Sequence, residues 1–277
     1  MAGRPPLAPN PAGAHFLHDR ALIAQLTRAC GAGNGRLVLD LGAGLGAITA
    51  GLAARGARVI AVERDPRLVA ALRRRFGHDP RVRVVEADLR TVPLPRREFL
   101  VVASPPFSLT TALCRRLLGD PALALAGAEL VIERGAARWL SSQRPRDRET
   151  AWWAARYEMR LARPVSAVAF VPPPRADAAR LSVRPRPITS SGPAQRQLRT
   201  LLRTAYRRPG GRADGVLPDR RRLLLRVGLD PRTPVAEITA QQWHDLALLL
   251  VGGAEPSGRA RRDHLRNAEA ASVVGRP

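Results

Sequence analysis

Short apolar runs that are typical of buried strands recur along the first half of the chain, with helix-like segments between them. The five runs cover residues 37–41, 58–63, 82–88, 99–103 and 128–133. Parallel strands need long crossover connections, and these are usually helices. The alternation therefore predicts an α/β fold built on a parallel, doubly wound sheet.

The pattern changes after the fifth run. Two further strand-like runs, 165–171 and 179–183, are separated by three prolines and predict a hairpin that completes the sheet. Beyond Pro187 the apolar residues follow helical spacing only, and Thr239 with Gln242 forms a capping box before a last helix. A small all-helical domain is therefore expected after the sheet.

Composition divides the 277 residues into four segments. Residues 1–13 are rich in proline, glycine and alanine and are expected to be a flexible arm. The α/β domain is assigned to 14–187 and the helical domain to 188–252. The remaining residues, 253–277, are polar and basic with few large hydrophobic side chains, which predicts a disordered tail.

The charge of the chain is strongly unbalanced. Its formal net charge is +23, from 46 basic and 23 acidic residues, and every basic residue is arginine. A GC-rich genome explains the abundance of arginine but not the scarcity of acids, so we expect a polyanionic partner, with nucleic acid favoured over an anionic membrane surface. Arg203, Arg207 and Arg208 of the helical domain are candidate phosphate contacts, and the alternative is that they are solvated surface charges.

Several sequence features bear on location, cysteine chemistry and assembly. No apolar run reaches the ~18 residues that span a bilayer, and we find no signal peptide, so a cytoplasmic protein is expected. Cys30 and Cys114 lie in apolar stretches without the spacing of a metal site or a disulfide framework, which favours two buried small side chains. No self-association motif is visible, so we expect a monomer.

A glycine-rich turn follows the first strand, with the sequence Asp40-Leu41-Gly42-Ala43-Gly44-Leu45-Gly46. Gly42 and Gly44 allow the backbone to approach a ligand closely at the carboxyl end of the strand, where open α/β sheets bind ligands. The third glycine comes one residue too early for the dinucleotide pattern Gly-x-Gly-x-x-Gly, which disfavours an NAD-linked oxidoreductase.

Two acids end the next two strands. The Glu63 carboxylate can accept both ribose hydroxyls of an adenosine cofactor, and Asp88 can accept a hydrogen bond from an adenine amine. The alternatives are a solvated or arginine-paired acid at Glu63 and a helix cap at Asp88. Because both acids lie on the same edge of the sheet as the glycines, the combination favours a nucleoside site.

Directly after the fourth strand comes Ser104-Pro105-Pro106-Phe107. The run resembles the (Asn, Asp or Ser)-Pro-Pro-aromatic loop of methyltransferases that act on exocyclic amines of bases. Such an amine is a poor nucleophile because its lone pair is delocalised into the ring. The Ser104 hydroxyl and the Pro105 carbonyl can each accept one N–H, which frees the lone pair, while Phe107 offers a face for stacking a flipped base. The alternative is an ordinary proline-rich turn.

Together these motifs resemble the rRNA adenine N6-methyltransferase superfamily over roughly residues 10–252. The family's N-terminal Gln-(Asn/His)-Phe-Leu element is represented by Ala14-His15-Phe16-Leu17, and its late phenylalanine–proline element by 170–174. The resemblance implies a Rossmann-like class I methyltransferase domain with a small all-helical C-terminal domain, and S-adenosylmethionine as cofactor. It also implies His15, Leu17, Gly42, Gly44, Glu63, Asp88 and Ser104 as cofactor contacts, and Ser104, Pro105 and Phe107 as catalytic residues.

Within the superfamily, the run Phe107–Leu113 and the basic tail look most like the erythromycin-resistance methylases of 23S rRNA. This implies methylation of one adenine that obstructs macrolide binding. Two positions depart from the family pattern, namely Ala14 in place of glutamine and Ser104 in place of asparagine. No metal is expected, because the sulfonium is already an activated methyl donor.

Three other functions stay open at this point. The first is a small-subunit 16S rRNA adenine dimethyltransferase, which would differ in its substrate. The second is a DNA amino-methyltransferase, which would usually need a larger recognition domain. The third is a non-catalytic RNA-binding homologue, which would bind S-adenosylmethionine weakly or not at all.

Overall fold

The computed structural model describes residues 15–33, 35–207, 210–217 and 220–252. The predicted arm 1–13, Ala14, Arg208 and the predicted tail 253–277 lie outside these residues. The chain forms two compact units, the first containing the residues up to Ser142 together with Tyr157–Pro185, and the second containing Gln143–Arg156 together with the residues from Arg186. Within the described ranges, no helix has the length and hydrophobicity needed to cross a membrane.

The first unit contains nine strands and five helices within its described residues. The strands are β1 (Phe16–Leu17), β2 (Leu37–Leu41), β3 (Arg58–Glu63), β4 (Val82–Glu86), β5 (Phe99–Ala103), β6 (Leu125–Glu133), β7 (Tyr157–Val165), β8 (Phe170–Val171) and β9 (Ala178–Pro185). The helices are α1 (Arg20–Ala29), α2 (Ala47–Ala53), α3 (Pro66–Phe76), α4 (Thr110–Leu118) and α5 (Arg134–Leu140).

Seven of these strands form one sheet in the order β4-β3-β2-β5-β6-β9-β7. The pairs from β4 to β6 are parallel, whereas β9 runs antiparallel to both β6 and β7. The chain moves outward from β2 to β4 and then returns to the other side of β2 as β5, so the order reverses between β2 and β5. Ligands bind at such a reversal, outside the carboxyl ends of the strands. The predicted α/β class is confirmed.

The central strands are apolar because helices cover both faces of a parallel sheet. All five residues of β5 are buried, and Asp40 is the buried charged residue of β2. Two helices begin at side-chain caps. Asp19 accepts from the N–H groups of Ala21 and Leu22 before α1, and Asp65 accepts from Arg67 N before α3. The caps satisfy backbone donors that have no partner within the helix.

The predicted strand over 165–171 is wrong. Strand β7 ends at Val165, and a short 3-10 turn occupies Ala167–Ala169. The Ser166 side chain accepts from Val168 N, which bends the backbone out of the extended conformation. The hairpin that completes the sheet is formed by β7 and β9, and the short β8 pairs with β1 in a separate two-stranded sheet.

The second unit is helical, as predicted, within its described residues. Its helices are α6 (Arg148–Arg156), α7 (Gly192–Ala205), α8 (Ala213–Val216), α9 (Arg221–Arg226) and α10 (Ala240–Leu249). The predicted capping box is present, with Gln242 N donating to Thr239 Oγ1 and Thr239 N donating to Gln242 Oε1. Segment 143–156 was assigned by sequence to the α/β domain, but the small residues Ala151 and Ala155 pack with the apolar residues of α7 and α10.

Candidate functional site

The glycine turn after β2 is anchored to the end of β3. The N–H groups of Gly42 and Ala43 both donate to the Val62 carbonyl, at 2.9 and 3.0 Å. Gly44 has a φ of +55°, and a Cβ there would lie 3.0 Å from Phe16 Cδ1. Both the left-handed backbone and the close approach of Phe16 require glycine at this position. The turn therefore packs closely against Phe16 at the carboxyl edge of the sheet, where Gly42 and Gly44 line a cleft.

Glu63 ends β3 beside this turn. Its Oε1 accepts from the N–H groups of Arg64 and Asp65, at 2.7 and 2.9 Å, and its Oε2 accepts from Gly44 N at 3.0 Å. A carboxylate offers about four acceptor positions. Because three of them are used here, accepting both ribose hydroxyls requires Glu63 to give up at least one backbone donor.

Asp88 follows β4 and is held by its own turn. Its Oδ1 accepts from Arg90 N at 2.8 Å, and the Arg90 guanidinium donates to both carboxylate oxygens. These hydrogen bonds hold the pKa of Asp88 at about 2, so the group is ionised at neutral pH. The helix cap considered for Asp88 is wrong, because no helix begins in the described segment between β4 and β5 and the carboxylate instead closes a turn with Arg90. Asp88 lies beside the glycine turn.

The loop Ser104-Pro105-Pro106-Phe107 leaves the carboxyl end of β5 next to β2. Pro105 is buried, and its Cα lies 3.7 Å from the position that a Cβ on Gly42 would take. A 3-10 turn then begins at Phe107, closed by Leu109 N donating to the Pro106 carbonyl at 2.9 Å. Ser104 is half-buried, and Phe107 is half-buried with one side on the apolar core.

The N-terminal element, which contains Phe16 and Leu17, lies against the late phenylalanine–proline element at 170–174. Phe16 pairs with Val171 and Leu17 with Phe170 in the two-stranded sheet. His15 Nδ1 lies 2.8 Å from the Pro172 carbonyl, so this nitrogen carries the proton that is donated. The centroid of the His15 ring is 6.2 Å from that of Phe107. This contact between the two rings brings the N-terminal element next to the Ser-Pro-Pro-Phe loop.

One cleft at the carboxyl edge of the sheet collects these elements. All seven side chains or glycines that the resemblance implied as cofactor contacts line it, namely His15, Leu17, Gly42, Gly44, Glu63, Asp88 and Ser104. Pro106 and Leu109 also line it, whereas Pro105 lies beneath the surface and Phe107 next to His15. The structure thus brings the predicted residues together, and their contacts with a ligand stay predictions.

Asp40 was not singled out by the sequence analysis. Its side chain is fully buried beneath the glycine turn, where Oδ2 accepts from Thr49 Oγ1 at 2.6 Å and Oδ1 has no partner among the described residues. Burial raises the pKa of this carboxyl to about 7, and the charge of Glu63 adds to the rise. The sequence feature that could have identified Asp40 is its position as an acid within an otherwise apolar strand.

The residues of the cleft fit an adenosine cofactor. Two carboxylates, Glu63 and Asp88, match hydroxyl and amine donors, and the glycine turn admits a ligand close to the backbone. Apolar walls for a flat base are supplied by residues such as Ile48, Leu68 and Leu89. Across the described ranges, no group of three or more His, Cys, Asp or Glu residues is arranged to hold a metal ion, and both cysteines are buried.

Comparison with known proteins relates the chain to a family of ribosomal RNA methylases. Residues 10–251 match the model of a family described as ribosomal RNA adenine dimethylase. An rRNA adenine N-6-methyltransferase of Bacillus licheniformis is 30% identical over 176 residues, which are 64% of this chain and 61% of that protein. The match therefore spans less than two thirds of that relative's length.

Two further comparisons cover more of the chain. A ribosomal RNA small subunit methyltransferase A of Gloeobacter violaceus is 30% identical over 264 residues, which are 91% of this chain and 96% of that protein. The crystal structure of the 23S rRNA methyltransferase ErmE matches with a TM-score of 0.73 and 29% identity, covering 85% of this chain and 99% of ErmE. Both matches therefore extend over most of the chain.

Proposed function

This chain belongs to the ribosomal RNA adenine dimethylase family, and on that premise we propose that it is an S-adenosylmethionine-dependent enzyme that methylates N6 of an adenine in 23S rRNA. The observation that carries the proposal is the cleft itself. Two carboxylates suited to an adenosine and a base-amine loop of the Ser-Pro-Pro-Phe type open into the same space at the reversal of the sheet.

S-adenosylmethionine supplies a methyl group on a sulfonium, which makes the methyl electrophilic without help from a metal. In the proposed binding mode Glu63 accepts the ribose hydroxyls, Asp88 accepts the adenine amine of the cofactor, and Gly42 and Gly44 let the remainder pass close to the backbone. His15 and Leu17 close the cleft from the side of β1.

The residues of the loop act on the target adenine. The Ser104 hydroxyl and the Pro105 carbonyl each accept one N–H of N6, which favours a tetrahedral nitrogen and frees its lone pair. The lone pair would take up the methyl group that the bound cofactor supplies, and N6 would then lose one proton to water. Phe107 stacks on the flipped base and holds it in line with the methyl group.

The choice of 23S rRNA rests on two observations. ErmE, a 23S rRNA methyltransferase, matches with a TM-score of 0.73, and the run Phe107–Leu113 resembles the resistance branch. Methylation of an adenine where macrolides bind would obstruct the drug, so we propose that the enzyme confers macrolide-type resistance. The net charge of +23 supports binding to a polyanion.

A small-subunit substrate is the second candidate. The Gloeobacter relative is named for the small subunit and aligns with 91% of this chain. For this candidate function the cleft and the methyl transfer are the same, and only the RNA substrate differs. Since either substrate is ribosomal RNA, we propose that the enzyme acts in the cytoplasm and as a monomer.

The test is transfer of labelled methyl from S-adenosylmethionine to protein-free 23S rRNA, 16S rRNA, assembling small subunits and duplex DNA, with the modified base mapped. Label on one 23S adenine is expected. Label confined to the small subunit supports the second candidate, label on DNA overturns both, and cofactor binding without any transfer indicates a non-catalytic homologue.

Variants of Ser104 test the loop chemistry in the same assay. Ser104→Ala removes one acceptor and is expected to lower turnover by about ten- to a hundredfold, in keeping with loss of one oriented hydrogen bond in the transition state. Ser104→Asn restores the acceptor that is usual in the family and should keep activity. Equal turnover of Ser104→Ala and the parent enzyme would remove Ser104 from the mechanism.

A further inference from the structure

Arg90 forms an extended contact with the carboxylate that faces the cleft. Its Nε lies 3.0 Å from both oxygens of Asp88, its Nη2 lies 2.6 Å from Oδ2, and its backbone N lies 2.8 Å from Oδ1. A second guanidinium, that of Arg64, approaches Oδ2 only to 3.9 Å. Arg90 therefore directs three hydrogens at the carboxylate, with Nε–H shared between the two oxygens, and of about four acceptor positions one remains.

The segment that carries Arg90 is itself fixed. The N–H groups of Thr91 and Val92 donate to the Asp88 carbonyl at 3.0 and 2.9 Å. Arg116 on α4 donates from Nη1 to the Arg90 carbonyl at 2.8 Å and from Nη2 to the Val92 carbonyl. These hydrogen bonds fix the turn from which the Arg90 guanidinium donates to Asp88, so the carboxylate is held in one orientation.

Neither residue type nor spacing makes this pair unusual, since Asp79 and Arg81 form the same arrangement. Arg81 donates from its backbone N, Nε and Nη2 to the Asp79 carboxylate at 3.0, 2.9 and 2.9 Å. The side chains of the two pairs are also similarly exposed, at 23% and 49% for Asp79 and Arg81 against 22% and 51% for Asp88 and Arg90. Asp88 lines the cleft, whereas Asp79 does not.

We propose that Arg90 is a positioning residue that orients Asp88 so that the carboxylate presents its one remaining acceptor position to the amine of the cofactor's adenine. The inference rests on the proposed function, since it takes the ligand of the cleft to be an adenosine compound. Arg90 makes the site selective for a base that donates at position 6, because a keto oxygen there would face a carboxylate that stays ionised and cannot rotate away.

The consequence is a specific difference between two ligands. S-adenosylhomocysteine carries the amine, and S-inosylhomocysteine carries an oxygen at the same position and is otherwise the same compound. The parent protein is expected to prefer the adenine compound. Without the guanidinium, the Asp88 carboxylate can rotate or accept hydrogen bonds from water. The preference for the adenine compound over the inosine compound is therefore expected to decrease.

The experiment measures the Kd of both compounds by calorimetry for the parent, Arg90→Ala, Arg90→Lys and the matched control Arg81→Ala, with circular dichroism to confirm folding. Arg90→Ala is expected to weaken the adenine compound about five- to tenfold, as for loss of an ordered hydrogen-bond acceptor, and to reduce the ratio of the two Kd values by a similar factor. Arg90→Lys should recover part of both effects, and Arg81→Ala should change neither.

Three results would overturn the inference. Equal weakening of both compounds by Arg90→Ala would make Arg90 merely structural. Tighter binding of the adenine compound would make Arg90 a competitor for Asp88. An effect of Arg81→Ala as large as that of Arg90→Ala would show that the change does not arise in the cleft. If the parent bound neither compound, the proposed function itself would fail, and that outcome is separate from the other three.

Discussion

The carboxylate of Glu63 accepts a hydrogen bond of 3.0 Å from the backbone N–H of Gly44. Strands β2 and β3 are parallel neighbours, and this hydrogen bond links the end of β3 to the glycine turn that follows β2. Glu63 therefore has a structural partner in addition to the ribose that it is proposed to bind. Its substitution is expected to affect both the shape of the turn and the affinity for the cofactor.

Glu63→Ala is predicted to weaken binding of S-adenosylhomocysteine by about 1–3 kcal/mol, the range for lost charge-assisted hydrogen bonds. Calorimetry on the folded variant measures the change. Glu86→Ala is the control, because Glu86 ends the neighbouring strand opposite Glu63 but is exposed and does not line the cleft. Unchanged affinity of Glu63→Ala would exclude Glu63 from the site.

Phe107→Ala is predicted to lower turnover about ten- to a hundredfold while cofactor affinity stays at the parental value, since stacking on a base contributes about 1–3 kcal/mol. The ring is half-buried against the core and does not line the cofactor cleft. Phe107→Tyr keeps the aromatic face and serves as the control. The stacking role is wrong if the alanine variant methylates rRNA at the parental rate, and a parallel loss of cofactor binding would point to a collapsed loop instead.

Much of the sheet could be predicted because its central strands are buried on both faces and read as continuous apolar runs. The bounds of β3 at Arg58–Glu63 and of β5 at Phe99–Ala103 agree with the prediction. Strand β7 was missed because its signal is alternation, with Tyr157, Met159 and Leu161 separated by polar residues and interrupted near Pro164, where the register shifts. An edge strand with one exposed face gives a weaker pattern than a central one.

The location of the site could be predicted because its markers follow the ends of successive parallel strands. The family resemblance is confirmed by the match over residues 10–251, while the roles of the individual residues stay predictions. The contacts of Arg90 with Asp88 and of His15 with the Pro172 carbonyl were not foreseen. The contact of Arg90 follows a local Asp-x-Arg pattern that recurs at Asp79 and Arg81 and could have indicated it. The contact of His15 depends on the long-range pairing of β1 with β8, which no local sequence pattern encodes.

His244 is predicted to remain uncharged in the folded helical unit down to about pH 4. Its Nδ1 lies 3.1 Å from the Ala155 carbonyl, and burial, with the nearby Arg186 charge, lowers its pKa to about 4. The unfolded chain, with a histidine pKa near 6.5, binds this proton first as the pH falls. Stability from this group is therefore complete above about pH 6.5 and is lost as the pH falls toward 4.

Urea unfolding followed by tryptophan fluorescence between pH 4 and 8 measures that loss, and NMR titration of the imidazole measures the pKa directly. His244→Gln removes the titrating group and should flatten this part of the profile. His78→Gln is the control, because His78 is exposed on the other unit. A normal titration of His244 near pH 6.5 in the folded protein would contradict the prediction.

Asp40 is predicted to give the opposite pH dependence. Burial raises its pKa to about 7, so the folded chain holds a proton that the unfolded chain, with a pKa near 3.8, releases. The stabilising effect of that proton is complete below about pH 3.8 and is lost as the pH rises toward 7, at about 1.4 kcal/mol for each unit of pKa difference. Asp40→Asn keeps an oxygen for the Thr49 hydroxyl and removes the titration, so its stability relative to the parent should increase from pH 4 to pH 7 and then level off.

Urea unfolding of both proteins across this range measures the difference, and Asp120→Asn, at an exposed acid, is the control. A difference that is independent of pH would mean that Asp40 is ionised throughout and that its unpartnered oxygen finds a donor in solution.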